Sequence, residues 1–205
     1  MGRSRKETTG MGDFAVESGG ERYARAIMRR AGVPDAVSDG VVRERGAFEG
    51  IAGPEPGQRL AWAIGGERAD LYAAWLCAST RGSRYVDVPA LMLDLKGLDA
   101  YGADSMASRF SAMRGAALLA LAGLDATRWT RSRLELLTDL LTVRARERRP
   151  TVIAASRGLR DTTELLARTT DREHAEGFRD AVLLAMGGSG DGLLSRVVRV
   201  PDASV

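Results

Sequence analysis

The stretch Ala116–Ser156, AALLALAGLDATRWTRSRLELLTDLLTVRARERRPTVIAAS, decides the fold. Ala116–Ala122 is an unbroken apolar run, too short for a helix of ordinary length and apolar on both faces that a strand would present. A second apolar run, Val152–Ala155, follows Pro150, which closes the helix before it. Between the two, Leu134, Leu137, Leu140, Leu141 and Ala145 recur at three- and four-residue spacing and make one apolar helix face. Strands apolar on both faces belong to parallel sheets covered by helices on each side.

Upstream, Arg59–Ile64 (RLAWAI) and Arg84–Val88 (RYVDV) read as strands. A Gly65-Gly66 turn and an apolar helix over Ala69–Ser79 separate them, with Leu71, Trp75 and Leu76 facing the core. Pro89 suits the first turn of a helix that carries Leu91, Met92, Leu95 and Leu98. Asp99–Asp104 reads as a loop, and Ser105–Arg114 as a helix capped by Ser105. Downstream, Arg160–Leu166 and Glu173–Met186 are helical, and Arg196–Val200 (RVVRV) is a closing strand. Gly187–Gly192 (GGSGDG) is a loop, either plain or an anion nest.

Five strands alternating with helices predict a three-layer α/β/α domain with a five-stranded parallel sheet and right-handed crossovers. Residues 1–20 read as a disordered basic tail with GRSRK near its start. Residues 21–58 form a helical lead-in. Tyr23, Ile27, Met28 and Ala31 share one helix side ended by Gly32 and Pro34, and Asp35–Phe48 is partly helical. Residues 59–205 are the α/β domain, with no separate lid.

The 205 residues suit one domain, and 44% hydrophobic with 28% charged residues is ordinary for a soluble globular protein. No apolar run nears the roughly 18 residues that span a bilayer, and no signal-peptide core opens the chain. A cytoplasmic protein without membrane partners is expected. Cys77 and His174 are the only residues of their types, which excludes an internal disulfide and argues against a zinc site. Cys77 reads as core, and His174 as a solvated helix start with no Ser or Cys partner for catalysis.

The net charge is only +3, but seven arginines face three acids between Arg128 and Arg149. Arg128, Arg131, Arg144, Arg146, Arg148 and Arg149 are candidate phosphate contacts for weak, non-specific DNA binding. The alternative is a solvated helix.

The order of these pieces resembles the AAA+ domain of the DnaC/DnaI-type helicase loaders and their transposition relative IstB. AGVPDAVSDGVVRERGAF (Ala31–Phe48) resembles the family's lead-in, and RYVDVPALMLDL (Arg84–Leu95) the strand and helix after its phosphate loop. ERRPTVIAAS (Glu147–Ser156) resembles its sensor strand, and LLSRVVRVPD (Leu193–Asp202) the segment with an arginine that reaches a neighbour's nucleotide. The resemblance spans Ala31–Asp202. It implies an AAA+ core of the phosphate-loop type and a link to DNA replication or mobile elements. The family's separate N-terminal helicase-binding domain has no counterpart of adequate size in Met1–Arg30.

Within that resemblance the nucleotide-handling positions differ together. Aligning Leu71-Tyr72-Ala73-Ala74 with the family's HLAAA sets WAIGGERA (Trp62–Ala69) against GxxGxGKT. Gly65 is kept and Gly66 fills a free position, whereas Trp62 and Glu67 replace glycines, Arg68 the lysine and Ala69 the magnesium-binding Ser/Thr. Bulkier residues resist the inward-turned amides of such a loop by about 1–2 kcal/mol each where φ is positive. Arg68 keeps the charge without the compact ammonium, or is simply a surface residue after a turn.

Ala122 and Gly123 stand where the family has two acids, with Asp125 two to three residues late. Ser156 replaces the sensor asparagine. Arg196 matches the finger arginine, or is an exposed arginine at a strand start. The expectation is a catalytically inactive adaptor or regulator, a pseudo-ATPase without cofactor, metal or catalytic residues, whose partner is another AAA+ or replication protein. A DNA-binding protein is the alternative, and an ATPase with an unorthodox loop the third.

Overall fold

The structure, a computed structural model, describes residues 19–48, 51, 60–94, 100–186 and 197–200. Eight helices and five strands are defined among them: α1 Gly19–Ala31, α2 Asp35–Phe48, β1 Leu60–Ile64, α3 Glu67–Ser79, β2 Arg84–Asp87, α4 Val88–Asp94, α5 Ala100–Gly115, β3 Leu119–Ala122, α6 Arg131–Arg146, β4 Thr151–Ala155, α7 Leu159–Thr169, α8 Arg172–Ala185 and β5 Val197–Arg199. The strands form one parallel sheet in the order β2-β3-β4-β1-β5.

Alternation along the strands sorts large from small residues. Trp62, Leu119, Leu121, Ile153 and Ala155 pack against the layer that includes α6, α7 and α8. Their neighbours Ala61, Ala63, Ala120, Ala122, Val152 and Ala154 face α1, α2 and α3. Helix α3 meets this second face with Ala69, Ala73 and Ala74. Alanine against alanine lets the α3 backbone sit close to the sheet.

The elements follow the sequence expectation except at their ends. The run Ala116–Ala122 is strand only from Leu119. Residues expected as a loop, Ala100–Asp104, are the first turns of α5, so Ser105 lies inside that helix rather than capping it. Asp35–Phe48 is helical throughout. The expected tail up to Ser18, Leu95, Leu98 and the Gly187–Gly192 loop lie outside the described residues. Among the described residues no helix is long and apolar enough to cross a membrane.

Arg144 corrects a sequence expectation. Expected on an outward arginine face, its side chain is fully buried. Its Nη1 donates to the carbonyls of Met113 (2.7 Å), Arg114 (2.9 Å) and Ala116 (3.0 Å). Its Nε donates to Thr151 Oγ1 at 3.0 Å, and its Nη2 to the Pro150 carbonyl. One guanidinium thus joins the end of α5, the approach to β3, the start of β4 and its own helix. The carbonyls at the end of α5 have no further turn to bond them, and their partial negative charge suits a cation. Burial, with Arg149 nearby, lowers the guanidinium pKa to about 10, which leaves it charged at neutral pH.

Removing this side chain strands carbonyls of three segments at once. Arg144→Met is expected to cost about 3 kcal/mol or more, and Arg144→Lys nearly as much, because an ammonium cannot span the same set of acceptors. Denaturant unfolding of both variants checks this, and a loss below about 1 kcal/mol for the lysine variant would contradict it.

Candidate functional site

In an open parallel sheet, ligands bind at the carboxyl ends of the strands where neighbouring connections leave in opposite directions. Here that point lies between β1 and β4, since the chain leaves β1 toward β2 and leaves β4 toward β5 on the other side. The turn after β1 and Ser156 after β4 meet there, with Gly123 and Asp125 just beyond β3.

The turn after β1 is short. Trp62, Ala63 and Ile64, which occupy loop positions in the aligned motif, belong to β1. Trp62 is fully buried, and its Nε1 donates to the Arg157 carbonyl at 2.9 Å. Helix α3 begins at Glu67, so only Gly65 and Gly66 connect strand to helix. The Gly65 amide donates to the Ala155 carbonyl at 3.1 Å, and the amides of Arg68 and Ala69 bond back to the carbonyls of Gly65 and Gly66. A Cβ on Gly65 would stand 2.9 Å from both the Cβ and the carbonyl oxygen of Val200, which follows β5. Gly66 has a φ of +55°, a conformation that favours glycine.

Arg68 is neither a surface residue nor directed at this crevice. Its side chain is 14% exposed, its Nε donates to Glu44 Oε2 of α2 at 2.8 Å, and its guanidinium lies 5.8 Å from the centre of the Phe48 ring. Ala69 is buried against the sheet, and Glu67 is exposed.

At the end of β3, Ala122 is buried on the α3 side. Gly123 has a φ of +73°, and a Cβ there would fall 2.8 Å from Pro89 Cδ. Neither the conformation nor the space admits an acid at that position. Asp125, from the turn Leu124–Ala126, is committed elsewhere: its Oδ2 accepts from the Ser156 amide (2.6 Å) and the Ser156 hydroxyl (2.7 Å). Its Oδ1 lies 3.4 Å from Arg157 Nε. The acidic-motif and sensor segments are thereby bonded to each other.

Asp70, in the first turn of α3, belongs to this site although the sequence reading did not single it out. Desolvation pushes its pKa up to about 6 against the opposing hydrogen bond from the Gly123 amide, and the nearby Asp87, Asp125 and Glu67 add to the rise. Its signal in the sequence is its position, directly after Ala69 in the aligned motif. Among the described residues no group of three or more His, Cys, Asp or Glu side chains is placed to hold a metal ion.

The arginines of the Arg128–Arg149 segment do not share a face. Arg144 is internal, as described above. Arg131 lies 2.6 Å from Asp171 at the start of α6, while Arg149 bonds Glu147 and the Gly115 carbonyl beyond its end. Arg128, Arg146 and Arg148 are exposed, and Arg148 takes a left-handed φ of 56° at the helix end. Arg131 and Arg146 are separated by about 22 Å along the helix axis. Arg196 lies outside the described residues.

His174 is not simply solvated: its ring nitrogens lie 2.7 Å from Asp171 Oδ1 and 2.6 Å from Glu135 Oε1, tying α8 to α6, and these bonds raise its pKa. Cys77 is buried as expected, its thiol pKa pushed up to about 12 by burial.

No family model matches the chain, and no curated protein matches it. Solved structures do resemble it, two helicase-loader proteins among them. One, "Crystal structure of the DnaC helicase loader", aligns with a TM-score of 0.47 at 18% identity, over 88% of this chain and 99% of that one. The other, "Crystal Structure of the DnaI", aligns with a TM-score of 0.55 at 15% identity, over 88% of this chain and 93% of that one. The likeness to DnaI is one of fold: this chain shares its α/β arrangement over most of its length.

Proposed function

We propose that this protein is a catalytically inactive AAA+-like adaptor or regulator in DNA replication or mobile-element biology, acting through protein contacts. The DnaI-like fold and the sequence resemblance to helicase loaders support the setting. The observation that carries inactivity is the two-residue link between β1 and α3. A phosphate loop encircles its ligand with inward-turned amides contributed by several residues between strand and helix. Gly65 and Gly66 offer no such circle, Val200 covers Gly65, and Arg68 is bonded to α2. The partner is another AAA+ or replication protein. On this reading Arg196 is an arginine offered to the partner's nucleotide, where such a group supplied in trans raises hydrolysis by about 10³–10⁵-fold. Scattered arginines on α6 favour protein over DNA as the partner.

The thermal midpoint is expected to be the same with and without millimolar ATP and magnesium. A ligand present at a hundred times its dissociation constant would add about 2.7 kcal/mol and raise the midpoint by about 5–10 °C in a chain of this size. A rise of that order with ATP and magnesium, absent with magnesium alone, would overturn the reading.

Asp70 gives a second test. A polyphosphate beside the start of α3 would approach Asp70, whose carboxyl pKa is raised to about 6 chiefly by desolvation, with Asp87, Asp125 and Glu67 adding to the rise. With its folded pKa raised from 3.8 to about 6, the native state binds the Asp70 proton more tightly than the unfolded chain does. Its contribution to stability is therefore lost as pH rises from about 4 to about 6 and stays lost above. Asp70→Asn keeps an acceptor for the Gly123 amide without the charge. It should gain about 1–2 kcal/mol at pH 7.5, after allowance for solvent screening, and little at pH 4. Thermal melts across that range measure this, and an equal effect at both ends would refute the buried-carboxylate account.

A further inference from the structure

Helices α7 and α8, joined through Thr170 and Asp171, leave an open groove of about 780 Å³ between their outer sides. Its apolar lining comes from Leu159 and Ala167 of α7 and from Ala175 and Leu183 of α8, with Thr163 between. Thr163 and Ala167 are small and half-buried, so a third helix could approach at the 8–10 Å or so that packed helices keep. From Leu159 to Ala167 is about 12 Å and from Arg172 to Leu183 about 16 Å, or roughly two to three turns of helix.

The charge around this lining is lopsided. Arg160, Arg168, Arg172 and Arg179 stand against Glu164 and Glu176 and, beside Arg179, Asp180: four cations to three anions, a net +1. Arg160 and Arg172 each pair with the glutamate four residues on, and Arg179 pairs with Asp180. Arg168 has no acidic partner among the described residues. An apolar trough with a cationic rim is the complement of a helix that is apolar on one side and acidic on its flanks. Nucleic acid fits less well, because the trough has no aromatic platform for bases and its two glutamates would face phosphate.

We propose that the α7–α8 groove is a docking site for an acidic amphipathic helix of a partner protein. It deepens the protein-contact reading above by naming the surface and the kind of segment it takes. It rests on that reading for its role in the cell, but the groove and its charge do not depend on whether nucleotide binds.

The probe is a fluorescein-labelled peptide of about 18 residues, long enough to form a helix, with leucines on one face and glutamates on its flanks. A control peptide has the same residues scrambled so that no apolar face forms. Binding to the full chain is read by fluorescence anisotropy. Two variants accompany it, R168E/R172E for the charge and Thr163→Trp to fill the trough, each checked by thermal melting. If the tryptophan variant fails to fold, the charge reversal still decides, since both of its sites are exposed.

The amphipathic peptide is expected to bind, with the scrambled one at least about tenfold weaker and each folded variant weaker by about tenfold or more. No binding, equal binding of the two peptides, or affinity unchanged in R168E/R172E overturns the proposal. So does displacement of the peptide by a single-stranded oligonucleotide whose affinity falls steeply with salt, which would make the groove a nucleic-acid surface. Repeating the titration with ATP and magnesium separates the two readings. A nucleotide-dependent thermal shift with peptide affinity unchanged removes the pseudo-ATPase and leaves the groove, whereas absent peptide binding removes the groove alone.

Discussion

The buried guanidinium of Arg144 is the constraint on which the sheet's lower edge depends. A charge taken out of water without a carboxylate to meet it is costly unless its donors are all used. Here each of its three nitrogens donates, to main-chain acceptors and one hydroxyl drawn from α5, the approach to β3 and the entry to β4. That set fixes where α5 stops and where two adjacent central strands begin. It also holds α6 by its last turn, while the His174 bridge to Glu135 holds α6 to α8 nearer its start. The helix so anchored covers the large-residue side of the sheet, where Leu134, Leu137, Leu140 and Leu141 are buried.

The architecture was legible in the sequence because it is written in local pattern. The apolar runs before and after α6, and the three- and four-residue spacing between them, read correctly as strand, helix and strand. Pro89 and Pro150 marked ends correctly for the same reason: a missing amide acts on its own neighbourhood. Element ends that depend on distant atoms were not legible. Ala116 and Ala117 are as apolar as Leu119, yet they bond to Arg144 and to the Gly82 carbonyl, residues 28 and 35 positions away, and pairing with β2 begins only at Leu119. The start of α5 was missed because Ala100–Asp104 mixes glycine, aspartate and alanine with no apolar periodicity.

The candidate site was half legible. Each unusual residue could be named, Trp62, Arg68, Ala122, Gly123 and Ser156, because a motif fixes positions along a chain. What those residues do instead needed three dimensions. The Asp125–Ser156 bond joins residues 31 apart. Arg68 finds Glu44 on a helix that precedes it by more than 20 residues. Asp70 looks like any acid in a first helical turn, where carboxylates are favourable. Only the fold buries it, with Asp87 and Asp125 near, and so reverses the sign of that expectation.

The local arrangements around the turn after β1 are mechanically linked. Alanines on both α3 and the sheet seat that helix close to the strands, and a close helix leaves room for only a short turn after β1. The short turn puts Gly65 directly under Val200, so the end of β5 occupies space above it. With α3 in this position, Arg68 points to α2 and Asp70 to Gly123, while Pro89 approaches Gly123 too closely for any side chain there. Replacing Arg68 with lysine would leave every one of these relations in place. A longer turn between β1 and α3 would require the helix moved outward and Val200 and Pro89 displaced together. Such coupled packing resists change one residue at a time, since each step alone opens a cavity or a clash.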